Sequence, residues 1–253
     1  MSVNGGKAKL AVPALGRATA VLDLLGENGQ PMGLSDLSRQ LGIAKSTLHG
    51  LCETLSQLDL LQVSPAGFEV GPHSLRWSAA YLARNDLVRA FDRLAQDPRL
   101  AEQTLTLSVL ERGDVVYLGC RNSNRPLGFT FRIGMRLPAV FSATGKAMLS
   151  CMPDDERHAH LAGAWPLPYT PASTHDAASF EAQLTEWRAR GYAVDAGEIR
   201  EGMICVGVPV RDASGRVAAG LAISMTDAEA KAAGTDHFAI RIRELADQLT
   251  WHL

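Results

Sequence analysis

Between Leu34 and Leu61 the chain reads LSDLSRQLGIAKSTLHGLCETLSQLDLL, two short amphipathic segments joined through a glycine-containing turn. Leu34, Leu37 and Leu41 recur at three- and four-residue spacing, the period of one helix face. Ser35 is expected to cap this helix, because a serine oxygen can accept a hydrogen bond from a free first-turn amide. Gly42 is expected to end it in left-handed backbone, a conformation that is cheap only for glycine. In the second segment Leu48, Leu51, Cys52, Leu55 and Leu58 form one stripe. Lys45, Ser46, His49, Gly50 and Glu53 lie on the opposite face, with Thr47 at its edge. A short second helix with small and polar residues at its exposed start is what entry into the DNA major groove requires. An ordinary helical hairpin has the same periodicity, so the flanking residues must decide.

Upstream, residues 1–12 carry Gly5, Gly6, Lys7 and Lys9 and read as a loose arm. PALGRATAVLDLLGENG follows, with Leu15, Ala18, Val21, Leu22 and Leu25 on one side of a helix. Pro13 suits its first turn, where the missing amide has no partner to lose, and Gly26, Asn28 and Gly29 stop it. Downstream, Leu61, Val63, Phe68 and Val70 flank the turn Ser64-Pro65-Ala66-Gly67, a hairpin signature. Helix, helix, helix, hairpin is the order of a winged helix-turn-helix. Through Ser74 there are 5 Lys or Arg against 6 Asp or Glu. Phosphate neutralisation supplies most non-specific DNA affinity, so one such module should bind weakly and need a second copy on a matching half-site.

A length of 253 residues with net charge -2 describes one large or two ordinary domains and carries no global sign of nucleic-acid binding. The cysteines, Cys52, Cys120, Cys151 and Cys205, lie far apart without a CxxC pair. That argues against a zinc site or disulfide framework and fits a reducing cytoplasm. No run approaches the ~18 apolar residues of a membrane span, and no signal peptide is visible.

After residue 74 the pattern changes twice. HSLRWSAAYLARNDLVRAFDRLAQDPRLAEQ reads as a helix with Leu75, Ala79 and Leu82 on one stripe, a break at Asn85, and a helix to about Gln96 that Asp97-Pro98 interrupts. From Leu105, TLTLSVLE, DVVYLGCRN, LGFTFRIG, ICVGVPVRD and VAAGLAISM are strand-like, with a turn at Asn124-Arg125-Pro126. ATGKAMLSCM, SFEAQLTEWRARG and HFAIRIRELADQLTWHL are helical, the last through Phe238, Ile242, Leu245 and Leu249. Antiparallel strands with helices on one face make an α+β domain. Ser142 to Lys146 resembles the tail of a phosphate-binding loop, but that motif needs glycine where Val140 stands. The alternative is a helix N-terminus whose free amides suit a carboxylate.

VPALGRATAVLDLL, LSDLSRQLGIAKSTLHGLCETL, IGMRLPAVFSATGKAMLS and RGYAVDAGEIREGMICVGVPVRDASGRVAAGLAIS, in this order, resemble the IclR-type bacterial transcriptional regulators over nearly the whole chain. The resemblance implies a winged helix-turn-helix domain (1–74), linker helices (75–98) and a GAF-like α/β effector-binding domain (99–253). It implies double-stranded operator DNA and a small organic acid as partners, a homodimer or homotetramer, and no cofactor, metal or membrane. Most such proteins control catabolic operons, and this chain is read as a repressor. Candidate DNA contacts are Lys45, Ser46, Thr47, His49 and Gly50, with Arg17 and Arg39 as flanking cations. Two departures stand out: Gly50 replaces a usual arginine, and Ala44 a common proline.

For the effector, the resemblance implies backbone contacts at Ala143 and Thr144 and side chains at Asp195, Cys205, Ala222 and Ser224. Members that bind very small oxo-acids carry serine at the position of Ala222, so a larger carboxylate, aromatic or longer-chain, is expected here. Leu118, Phe129, Phe131, Met135, Leu137 and Met203 are its candidate apolar contacts. Each residue also has a plainer reading: Asp195 as a turn before Gly197, Cys205 as a buried strand cysteine, the aromatics as core. Lys146 reads as a helix-surface residue. The competing function is a thiol hydrolase using Cys205 with His158, His160 or His175 as base, or a sensor that does not bind DNA. An apolar strand interior disfavours a thiolate, so the chain is read as no enzyme. The HAH at 158–160 reads as the polar face of a helix, not a metal site.

Overall fold

A computed structural model describes residues 10–124 and 127–250. It divides into two units, one ending at Arg84 and the other beginning at Asn85. Lys7, Lys9 and the Arg125-Pro126 part of the expected turn lie outside the described residues.

In the first unit, α1 (Pro13–Asn28) starts on its proline and ends at Gly29, whose N–H donates to Leu25 O at 3.1 Å. α2 (Leu34–Leu41) is capped by Gly33 and not by Ser35, which lies inside the first turn, beyond reach of the amides a cap serves. The Gly33 carbonyl instead accepts from Asp36 N and Leu37 N. Gly42 has φ 65°, the left-handed backbone expected of it. α3 (Lys45–Gln57) buries Leu48, Cys52 and Leu55 against Val21, Leu25 and Leu37. Leu58 departs from the expected stripe: the helix has ended, the chain reverses through Asp59 at φ 57°, and Leu58 is exposed. β1 (Leu61–Ser64) and β2 (Gly67–Val70) pair antiparallel around Pro65-Ala66, and Met32 adds a bridge to Phe68. This is a winged helix-turn-helix. α4 (His73–Ala83) follows without a single buried residue.

The expected linker, residues 75–98, divides between the units, because its two helices differ in what they bury. α5 (Asp86–Leu94), capped by the Asn85 side chain, buries Leu87, Val88, Ala90 and Phe91 in the second unit. A 3₁₀ turn at Pro98–Leu100 follows. The second unit is built on one antiparallel sheet in the order β5-β4-β3-β8-β7-β6. Its strands are β3 (Thr104–Glu111), β4 (Asp114–Arg121), β5 (Arg136–Pro138), β6 (Ala193–Ala196), β7 (Met203–Arg211) and β8 (Val217–Thr226). Its remaining helices are α6 (Ala143–Cys151), α7 (Asp154–Leu161), α8 (Ala177–Arg190), α9 (Asp227–Ala233) and α10 (Thr235–Thr250). The architecture is α+β.

Helices cover both faces of this sheet, contrary to the expectation of one. On β7, Met203 and Cys205 face the α6 and α8 side, while the alternate residues Val206, Val208 and Val210 are equally buried and α10 packs against the strand. A strand buried on both faces reads as a near-continuous apolar run, and ICVGVPV is one. LGFTFRIG is a second correction: residues 127–134 form no strand. The Asn122 side chain takes the place of a partner strand for Phe131, donating to its carbonyl at 3.0 Å and accepting from its amide at 3.1 Å.

Candidate functional site

The proposed DNA-reading residues are accessible. Lys45, Ser46, His49, Gly50 and Glu53 are exposed on α3, and Thr47 is half-buried beside them. Arg17 is exposed on α1. Arg39 is exposed on α2 and pairs with Asp36 at 2.6 Å, a surface bridge of little energetic weight. A Cβ on Gly50 would meet nothing within 4 Å, so packing does not require the glycine.

In the second unit, the seam between α6 and the sheet encloses a cavity of about 10 Å³, room for one water molecule. One end is the start of α6. Ser142 caps the helix by accepting from Gly145 N at 3.1 Å, and Ala143 and Thr144, also on the wall, carry first-turn amides with no intrahelical acceptor. Thr144 is fixed by the Ser108 hydroxyl at 2.8 Å. The sheet contributes Thr106, Tyr117, Met203, Cys205, Ala222 and Ser224, while Ile199 and the Asn122-held Phe131 close the sides.

Asp195 forms the other end and is fully buried. Its Oδ1 accepts from Glu198 N at 2.6 Å, and its Oδ2 is buried without a hydrogen-bond partner. Burial is the main force on its carboxyl, pushing the pKa up to about 7 against the opposing pull of Lys146 and the Glu198 amide. Lys146 corrects the surface reading: only 1 % exposed, it is ion-paired to Glu198 and donates to Val194 O at 3.1 Å. Its ammonium also lies 5.5 Å from the Trp187 ring centroid. The second Glu198 oxygen accepts from Thr174 N at 3.0 Å and Thr174 Oγ1 at 2.9 Å. This pair therefore ties α6, the end of β6 and the 170–174 segment together.

Of the expected effector contacts, Ala143, Thr144, Asp195, Cys205, Ala222, Ser224, Met203 and Phe131 are brought together; Leu118, Phe129, Met135 and Leu137 are not. A bulge makes Leu118 the extra residue between Tyr117 and Gly119, which pair with Ser108 and Leu107, so the strand's alternation shifts at that point. Phe129 instead backs Phe131 edge-on at 4.9 Å. Met135 uses its backbone, accepting from Tyr117 N, and Leu137 packs in the core. Thr106, Tyr117, Ser142 and Ile199 were not foreseen; the β-branched and aromatic alternation of TLTL and VVYL was the available signal for the first two.

Cys205 is poorly set for nucleophilic work. Burial first, and then the Asp195 charge, push its thiol well above the ordinary range, and its sulfur accepts from Ser224 Oγ at 3.1 Å. His158 instead lies on exposed α7, 3.7 Å from Glu181. Among the described residues no three His, Cys, Asp or Glu side chains are placed to hold a metal ion, and no helix is long and apolar enough to cross a membrane.

Residues 79–251 match the family model for the bacterial transcriptional regulator IclR C-terminal region, and residues 14–65 match the IclR helix-turn-helix domain. The chain belongs to the IclR family. Among solved structures, the repressor BlcR of Agobacterium tumefaciens is 43% identical, covering 96% of this chain and 98% of its own with TM-score 0.60. The glycerol operon regulatory protein of Streptomyces coelicolor is 30% identical over 79% of this chain and 80% of its own length. An IclR homologue from Microbacterium hydrocarbonoxydans, crystallised with 4-hydroxybenzoate, shares the fold at 23% identity and TM-score 0.75, covering 95% and 98% of the two chains. With its winged helix-turn-helix and the family's C-terminal region, the chain is a DNA-binding transcriptional regulator.

Proposed function

We propose that this IclR-family regulator represses a catabolic operon in the cytoplasm and answers to a small organic carboxylate held at the start of α6. The observation that carries the effector reading is the buried cavity that joins two free helix-terminal amides to polar groups from four strands. The 43% identical relative is named a repressor, and the glycerol operon regulatory protein is named for an operon. Regulation then requires different ligand affinity in the DNA-competent and DNA-incompetent states. Leu75, Trp77 and Tyr81 are exposed on α4, which supports pairing with a second copy to supply the affinity that the weakly charged reading head lacks.

On this reading Lys45→Ala and Thr47→Ala should each weaken binding to operator DNA upstream of the chain's own or adjacent genes, by about 1–3 kcal/mol if the side chain reads a base edge. Gel-shift titration measures it, and effector affinity of the free protein should not move. Unchanged DNA affinity in both variants would remove α3 as the reading helix.

The carboxylate is expected to be larger than pyruvate or glyoxylate, since Ala222 leaves one wall apolar. Phe131 and the flexible Met203 are the walls that must withdraw to admit it. A thermal-shift panel of benzoates and short oxo-acids tests this, because any native-state binder raises Tm. Tight pyruvate or glyoxylate binding with no response to benzoates would refute the larger effector.

A further inference from the structure

Charge counting around Asp195 leads beyond the identity of the cavity wall. The titratable and charged groups acting on it are Lys146 from α6, Glu198 from the turn after β6, Cys205 from β7 and Tyr117 from β4. The single cation among them is already matched, because Lys146 is ion-paired to Glu198. An ionised Asp195 would then be a second buried anion, offset only by the Glu198 and Ile199 amides at its Oδ1 and by a share of the Lys146 charge, and a carboxylate ligand at the start of α6 a third. The helix terminus offers only about half a positive charge in return. Meanwhile Asp195 Oδ2 is buried with no hydrogen-bond partner, and the adjacent Cys205 thiol is at best a weak donor. Two carboxylates sharing so small a space cannot both stay ionised.

We infer that Asp195 meets the ligand as a neutral acid, with its Oδ2–H as a hydrogen-bond donor of the cavity, so that a carboxylate ligand enters together with one proton. The balance is simple: a carboxylate ligand and one proton from solvent are taken up, Asp195 carries the proton, and no other bond is made or broken. This rests on the carboxylate reading of the cavity above. Burial already holds the Asp195 carboxyl high, at about 7, which makes the proton available near neutral pH. Glu198 and Cys205 are not competing seats for it: the first is held by Lys146 and Thr174, and the second, buried between Asp195 and Ser224, already keeps its own proton as a thiol.

The test uses the full-length protein with benzoate and pyruvate as probes. Calorimetric titration between about pH 6 and pH 8.5, in buffers of different ionisation heat, should show uptake of up to one proton. The Kd should rise by about tenfold per pH unit once the pH exceeds the pKa of Asp195. Asp195→Asn keeps a donor and cannot ionise, so its affinity for the same probe should stay level with pH and its proton uptake vanish. A ligand-free arm reads the group directly: infrared difference spectra of the wild type at low pH should contain a buried protonated carboxyl band that Asp195→Asn lacks. Level wild-type affinity across this range without proton uptake, or absence of that band, overturns the neutral acid while leaving the carboxylate site standing. Failure of both probes to bind counts against the carboxylate reading and the shared proton together.

Discussion

Glu198→Ala should destabilise the C-terminal unit by about 3–5 kcal/mol, the cost of leaving a buried charge without its partner. Lys146 would remain in the interior with Val194 O and the Trp187 ring face as its remaining contacts. Thr174 would lose both hydrogen bonds that fix it to the Glu198 carboxylate. Urea unfolding followed by tryptophan fluorescence reports the loss, because Trp187 lies beside the pair. Replacing both partners together, Lys146→Met with Glu198→Leu, should recover most of it, since an apolar pair of similar volume often matches a buried ion pair. A Glu198→Ala variant as stable as the wild type would mean that the pair contributes nothing to holding α6, β6 and the 170–174 segment together.

Gly207→Ala should be a strongly damaging methyl group in the cavity region. A Cβ there would sit 2.4 Å from the Ala143 carbonyl carbon and oxygen, which are backbone atoms and cannot swing aside. α6 would have to lift from β7, at a cost of about 1–3 kcal/mol or more. The same displacement would move the Ala143 and Thr144 amides, so effector-induced thermal stabilisation should disappear as well. The same substitution at Gly50 is the natural control. Nothing lies within 4 Å of its Cβ, and alanine should stabilise α3 by about 0.5–1 kcal/mol. Equal thermal shifts in the two variants would contradict the close approach of α6 to the sheet.

The winged helix-turn-helix was legible because its signals are local. Leucines at helical spacing, Gly42 at a left-handed position and Pro65 in a two-residue turn each act within a few residues. Local signals also misled. Lys146 looked like a solvent-facing helix residue because its partner, Glu198, is 52 residues away, and no periodicity reports so distant a pairing. LGFTFRIG has strand composition, yet Asn122 supplies with one side chain the hydrogen bonds that a neighbouring strand would have given Phe131. Leu118 was lost to a bulge, which breaks the alternation on which the reading of a strand's faces depends. The polar end of the cavity was found through resemblance to a family; the neighbours that decide its chemistry, Lys146 and Glu198, came only from the fold.

The order of the six strands also governs what this protein avoids. The two longest strands, β7 with 9 residues and β8 with 10, are interior, while the margins are β5 with 3 and β6 with 4. A margin that short presents few open backbone groups to a passing chain, and Pro138 in β5 has no amide to offer. The sheet thus has little capacity to template fibrous growth from its rims, even at high concentration or during slow refolding. Any association between copies would then fall to helical surfaces, where geometry can limit it to a closed number of subunits.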